Sequence, residues 1–221
     1  MTNKSKSYVA FSMIGCMAFM VGLAISLPLT GQEQVGEGNI SDQQIAALEQ
    51  SFDAMKAENP SRVTARRNLK KIVRQGQEMI DASPDAPNRF AVLGIMFECQ
   101  KRLIALDNTQ RNREVLFEIS ARLSQAPDRY AESRLEADLM LAEKELSQGN
   151  ATLEERAKAL EKLIERYRGT TAEAKSLLLG ALIASKLNAP ELEDSIYDAL
   201  DENFSDDHEV IDFRRKYLSI G

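Results

Sequence analysis

The positions of the prolines constrain the fold of this chain more than any other feature. Five of its 6 prolines lie beyond residue 40, and each falls between stretches in which apolar residues recur every three or four positions. A proline inside a helix costs about 3 kcal/mol, so this placement indicates that the stretches between the prolines are helices. No stretch shows the sustained apolar–polar alternation of a half-buried strand. The sequence therefore predicts an all-α protein.

Capping patterns and apolar stripes divide residues 41–221 into nine predicted helices, joined by connections of a few residues. Short connections place neighbouring helices side by side as antiparallel hairpins. Capping boxes are predicted at Ser41 with Gln44, Thr152 with Glu155, and Thr170 with Glu173. The predicted helices begin at or next to Ser41, Ser61, Pro87, Thr109, Asp128, Thr152, Thr170, Pro190 and, for a short last helix, just ahead of Val210.

Residues 8–27 form an apolar run of 20 residues without a charge. A helix of that length spans about 30 Å, the thickness of the hydrocarbon core of a bilayer. Lys4 and Lys6 precede the run and the first charges after it are acidic, so the positive-inside rule predicts a cytoplasmic N-terminus and an exported remainder.

The length of this run favours an uncleaved anchor over a cleavable signal peptide, whose apolar core is usually about 7–15 residues. Residues 24–26 (AIS) nevertheless fit a cleavage site, and cleavage would make the protein secreted. A lipoprotein signal at Cys16 fits poorly, because the run continues well beyond that residue. We therefore expect a transmembrane anchor or signal segment over residues 1–30, a flexible tether over 31–40, and a helical domain over 41–221.

Part of the helical domain is repeated. Residues 86–91 (APNRFA) recur 40 positions later as residues 126–131 (APDRYA), and Ala131-Glu132 is echoed 41 positions later at Ala172-Glu173. Each period holds two predicted helices, which predicts stacked helical hairpins that bury each other's apolar faces. The alternative is a single helical bundle in which the hexapeptide match arises by chance.

Residues 156–181 (RAKALEKLIERYRGTTAEAKSLLLGA) resemble the junction between two tetratricopeptide repeats. Small and large apolar residues have the pattern of a repeat's second helix, and Leu179-Gly180 stands at the tight-packing site of the next first helix. The resemblance covers about residues 87–205 and departs from the family at Gly169, which replaces the helix-terminal proline, in the absence of Trp, and in a period longer than 34 residues. It implies a tetratricopeptide-like α-solenoid that, on a bacterial envelope membrane, serves as a docking surface for other proteins. In the resemblance to a tetratricopeptide repeat, the second helix of the repeat has its apolar residues at Ala157, Leu160, Ile164 and Tyr167.

Residues that carry enzyme chemistry are scarce. The only histidine, His208, lies between two acidic residues and is predicted to be exposed. Cys99, the only cysteine outside the apolar run, lies on an apolar helix and is predicted to be buried, with no internal disulfide. No zinc, thiol-redox, nucleophile-elbow or nucleotide motif occurs. We therefore predict no catalytic residue, no cofactor, no metal site and no enzymatic activity.

Charge is distributed unevenly along the chain. Residues 62–74 hold six basic residues and no acid, whereas residues 191–212 hold ten acids and no Lys or Arg. The net charge of -6 argues against a nucleic-acid partner. Both segments are compatible with solvated outer faces of helices, but the basic segment is also the best prediction for a partner-binding surface. Its residues are Arg62, Arg66, Arg67, Lys70, Lys71 and Arg74.

These observations favour a membrane-anchored scaffold or adaptor, located in the periplasm or cell envelope, that binds other proteins without catalysis. One alternative is a structural envelope protein that forms homo-oligomers through its membrane helix and the opposite charges of its two ends. The other is a small hydrolase or an enzyme accessory subunit, which requires a polar pocket with a perturbed carboxylate.

Overall fold

The computed structural model describes residues 38–58, 60–148 and 151–217, and within these ranges it contains nine α-helices and no strand. The all-α prediction is confirmed for this part of the chain. The predicted anchor lies outside the described residues, and among those described no helix has the length and apolarity to span a membrane. The helices are α1 (Asp42–Glu58), α2 (Arg62–Ala82), α3 (Arg89–Leu106), α4 (Gln110–Leu123), α5 (Ala131–Gln148), α6 (Leu153–Tyr167), α7 (Glu173–Leu187), α8 (Pro190–Phe204) and α9 (His208–Tyr217).

Most helices begin where the sequence predicts, because the capping side chains satisfy backbone N–H groups that have no partner within the helix. The hydroxyls of Ser61 and Thr109 accept hydrogen bonds from the backbone N–H three residues on. At α6, Thr152 and Glu155 form both hydrogen bonds of the predicted capping box. Pro190 occupies the first turn of α8, where its missing N–H costs nothing.

The predicted capping box at Thr170 is wrong. α7 begins at Glu173, and its N-cap residue Ala172 makes no side-chain cap. The Glu173 carboxylate instead accepts a hydrogen bond from the backbone N–H of Gly169, and the Thr170 hydroxyl donates to the Tyr167 carbonyl. Gly169 has a φ of +74°, a conformation open to glycine, so the chain reverses there and both polar side chains close the turn between α6 and α7.

Two further helices begin later than predicted. α3 begins at Arg89, and its N-cap residue Asn88 makes no side-chain cap. The Asn88 side chain instead accepts from the Ile40 N–H at 3.1 Å and donates to the Ile40 carbonyl at 2.7 Å. This pair of bonds fixes the chain where it enters α1. α5 begins at Ala131, after a 3-10 turn at Asp128–Tyr130.

Consecutive helices pack against each other along the described chain, and the apolar side chains form two main cores. The first surrounds α3, which contacts α1, α2 and α4. The second surrounds α7, which contacts α6, α8 and α9. A small apolar cluster of Ala131, Leu135, Tyr167 and Ala172 lies at α5, α6 and the start of α7. The apolar stripes predicted from the sequence therefore face one another across consecutive helices.

Two glycines permit the closest helix approaches. A Cβ on Gly180 of α7 would lie 2.7 Å from Ile164 Cδ1 of α6 and 3.3 Å from Ile196 Cδ1 of α8. A Cβ on Gly76 of α2 would lie 2.6 Å from Met96 Cγ of α3. Gly180 is the residue predicted at a tight-packing site, and its close approach confirms that prediction.

We expect Gly180→Leu to lower the free energy of unfolding by about 1–3 kcal/mol, because the added side chain displaces Ile164 and Ile196. The measurement is chemical denaturation of the purified protein. Ser185→Leu is the matched control, since Ser185 lies exposed on the same helix, and its effect should stay within about 0.5 kcal/mol. Equal stability of the two variants would contradict the tight packing of α6, α7 and α8.

Candidate functional site

The exposed side of α2 carries a continuous row of basic residues. Arg67, Lys70, Lys71 and Arg74 follow each other at helical spacing and are all exposed. Val63, one turn earlier on the same side, is 68% exposed. In the described part of the chain, no hydrogen bond or ion pair involves Arg67, Lys70 or Lys71, and Arg74 has only a 3.6 Å pair with Glu78. We call these four basic residues the basic face.

The other two residues of the predicted partner-binding set are used inside the fold. Arg62 donates from Nε to the Leu106 carbonyl at 3.0 Å, at the last turn of α3. Arg66 forms an ion pair with Asp107, the residue that follows α3. These contacts hold the start of α2 against the end of α3, so the six predicted residues divide into two structural residues and four surface residues.

The basic face does not stabilise the helix that carries it. Its members form four like-charge pairs at separations of three or four residues, and each such pair destabilises a helix by about 0.2–0.5 kcal/mol. α2 has no acidic residue in its first turn, where a carboxylate would complement the helix dipole. Within α2, Glu78 pairs with Arg74. Further relief of the repulsion requires anionic groups from outside α2.

A row of opposite charge lies on α8. This helix contains six carboxylates and no basic residue. Five of the carboxylates are exposed and follow each other at helical spacing. One of them is paired with Arg214 of α9. We call this row the acidic face; its residues are Glu191, Asp194, Asp198, Asp201 and Glu202.

An ion network joins α3, α5 and α7. Glu136 of α5 accepts hydrogen bonds from Lys101 of α3 and from Lys175 of α7, the latter at 2.9 Å. Lys101 also pairs with Glu98 at 2.8 Å. Burial disfavours the charged form of Glu136, but Lys101 and Lys175 more than offset this effect and hold its pKa at about 2. The network therefore links three helices that are not consecutive in sequence.

A second polar cluster is buried where α4, α5 and α6 meet. Asp138, only 7% exposed, accepts hydrogen bonds from Ser124 Oγ at 2.6 Å and from the Tyr167 hydroxyl at 2.5 Å. Arg166 pairs with the same carboxylate at 2.8 Å, and the Arg134 guanidinium lies 5.1 Å from the Tyr167 ring centroid. Burial, followed by the hydrogen bond to Asp138, raises the pKa of the Tyr167 hydroxyl. Both oxygens of Asp138 are engaged by neighbours, so this cluster ties helices together.

His208 and Cys99, the possible base and nucleophile, lie where the sequence predicts. His208 is exposed at the first position of α9. Cys99 is fully buried in α3, and burial, followed by the nearby Glu98, raises the pKa of its thiol to about 12. Within the described ranges, no group of three or more His, Cys, Asp or Glu residues has the geometry to hold a metal ion.

Both polar clusters were missed by the sequence analysis, although each left a signal. Asp138 lies four residues after Arg134 and next to the apolar stripe of α5, and a charged pair on a buried face indicates an internal network. Lys101, Glu136 and Lys175 are separated by 35 and 39 residues, close to the repeat period. Their contact becomes apparent only when the first helices of successive periods are placed side by side.

Comparisons with known proteins yielded no relationship. No family model, no curated protein and no solved structure matches this chain.

We expect Glu136→Gln to destabilise the protein in a pH-dependent way. Because the pKa of Glu136 is depressed from 4.5 to about 2 in the folded protein, its stabilising effect is fully present above pH 4.5. The effect is lost as the pH falls from 4.5 towards 2. The difference in unfolding free energy between the natural protein and the variant, measured by denaturation at several pH values, should shrink over that range.

Glu132→Gln is the control, since Glu132 is exposed on the same helix. Its effect should be small at every pH. A Glu136→Gln difference that stayed constant between pH 7 and pH 2 would assign the loss to packing instead of charge.

Proposed function

We propose that this protein is a membrane-anchored scaffold whose helical domain lies in the periplasm or cell envelope and binds other proteins through the basic face of α2. The observation that carries the proposal is that Arg67, Lys70 and Lys71 are exposed and have no counterion in the described chain. Like charges at this spacing are unfavourable on a helix without a partner of opposite charge. Because such a face gains most from an anionic partner, we infer that the partner contributes carboxylates or other anions.

We further infer that α3 to α8 form a tetratricopeptide-like solenoid of helical hairpins. Side-chain contacts between residues about one period apart support this inference. Arg129 donates to the Pro87 carbonyl and Arg166 to the Ser124 carbonyl, each across 42 residues. The Glu136 network adds contacts among α3, α5 and α7, which are the first helices of successive predicted hairpins.

The two copies of the repeated hexapeptide also have similar surroundings. Ala86 and Ala126 are both buried. Each arginine of the motif lies over the aromatic ring that follows it, at 4.5 Å in the first copy and 5.1 Å in the second. The two rings, Phe90 and Tyr130, contact each other with centroids 5.8 Å apart. Equivalent residues in contact with each other are typical of stacked repeats, in which each unit packs on the next.

The proposed location follows from residues 8–27 and from the lysines that precede them. We expect a C-terminal fusion to alkaline phosphatase, which is active only outside the cytoplasm, to be active and to sediment with membranes. Deletion of residues 8–27 should abolish both properties. Activity in the culture medium would assign the segment as a cleaved signal peptide. An inactive alkaline phosphatase fusion would contradict the proposed orientation if a reporter enzyme that works in the cytoplasm is active at the same position.

We expect neutralisation of the basic face to abolish binding of the protein's partners. The variant is Arg67→Gln, Lys70→Gln, Lys71→Gln and Arg74→Gln in the full-length chain. The measurement is cross-linking in the cells that make the protein, followed by affinity capture. Each protein that depends on the basic face should fall at least tenfold, the change produced by about 1.4 kcal/mol of binding free energy.

The matched control removes four exposed positive charges elsewhere. It changes four exposed basic residues to Gln. Because the same number of charges is removed, both variants have the same net charge. Capture should remain unchanged in this control. Equal capture by the natural protein and by the basic-face variant would refute the role of the basic face. The control positions are Arg111, Lys158, Lys162 and Lys186.

A further inference from the structure

We infer that the partner of the basic face is the acidic face of a second copy of this chain, so that copies associate head to tail. This inference rests on the proposed function, since it names an occupant for the same basic face. It is carried by two helices that one chain contains: α2, with an exposed row of cations, and α8, with an exposed row of carboxylates.

The two faces match in form as well as in sign. Residues 67–74 of the basic face rise about 10 Å along α2, and residues 191–202 of the acidic face rise about 16 Å along α8. Each row follows one side of its helix, so two such helices packed side by side bring several opposite charges together. The acidic face is long enough to pair with every member of the basic face.

The pairing is not made within one copy, since no ion pair joins α2 to α8 in the described chain. α2 contributes to the first apolar core and α8 to the second. The pairs that the faces do make are local: Arg74 with Glu78 on the same helix, and Asp201 with Arg214 on the following helix. Each face therefore keeps its like-charge repulsion in a single copy, and a second copy relieves the repulsion of both at once.

Contact between two different surfaces has a structural consequence. Each copy offers one basic and one acidic face, so a pair joined by a single contact still has one free face of each kind. Association then continues as an open row or closes as a ring, and the smallest closed form is a two-fold dimer in which the two copies exchange both contacts. Because exposed charges carry the contact, it weakens as salt is added.

Site-directed cross-linking tests the contact. Two full-length proteins are prepared in neutral detergent, both with Cys16→Ser; one carries Lys71→Cys and the other Asp198→Cys. The remaining cysteine, Cys99, is fully buried and does not react in the folded protein. A short bismaleimide should link the mixture of the two at least tenfold more than either protein alone, and about 0.5 M salt should abolish the link. A mixture of Asp198→Cys with Lys162→Cys, an exposed lysine on α6, is the control.

Charge reversal supplies an independent test. Lys70→Glu with Lys71→Glu should abolish association, as measured by sedimentation of the full-length chain, and so should Asp194→Lys with Asp198→Lys. Combining all four changes in one chain, or mixing the two reversed proteins, should restore association, because each combination again provides faces of opposite sign. Far-ultraviolet circular dichroism shows whether each variant remains folded.

The inference is overturned if residues 71 and 198 link no better than the control pair, or if the reversed proteins fail to rescue each other while remaining folded. A monomeric protein whose basic face binds vesicles containing phosphatidylglycerol would assign that face to lipid and also overturn it. Loss of other captured proteins in the basic-face variant, without self-association, would overturn this inference and leave the proposed function intact. Self-association with unchanged capture of other proteins would support this inference and refute the binding of other proteins through the basic face.

Discussion

The described fold depends on the burial of apolar helix faces against their sequence neighbours. Burying apolar surface stabilises a protein by roughly 25 cal/mol per Å², and most helices here can cover their apolar stripe only with the next helix. α3 and α7 have neighbours on more than one side and form the centres of the two main cores. Gly76 and Gly180 bring helices to their closest separation, so the cores depend on small residues as well as large ones.

Polar contacts join helices in addition to apolar packing, and some of these helices are not consecutive in sequence. Glu136 connects α5 to both α3 and α7 through two lysines, and Asp138 connects α5 to α4 and α6. Opposite charges in partly buried surroundings strengthen these contacts, and removing one partner leaves the others without compensation. These side chains are engaged within the fold, whereas Arg67, Lys70 and Lys71 of α2 are exposed and have no hydrogen bond or ion pair in the described chain.

Local features of the sequence predicted local structure well, because a helix start depends on a few adjacent residues. Ser61, Thr152 and Pro190 all begin helices as their patterns indicate. The prediction at Thr170 failed because another adjacent residue, Gly169, has a positive φ. Thr170 and Glu173 have the spacing of a capping box, but their side chains form hydrogen bonds within the turn. The basic set shows a similar limit, because Arg62 and Arg66 are indistinguishable in sequence from the residues that face solvent.

The sequence by itself determined the helical class, most helix boundaries, the burial of Cys99 and the segregation of charge into two segments, because each depends on residue type and short-range spacing. Tertiary structure decided which of those charges are free. Arg62 and Arg66 are held by the end of α3, which lies more than forty positions away, and Glu136 and Asp138 find partners 29 to 39 positions away. Contacts at such separations depend on how the helices pack, and spacing within one helix carries no record of them.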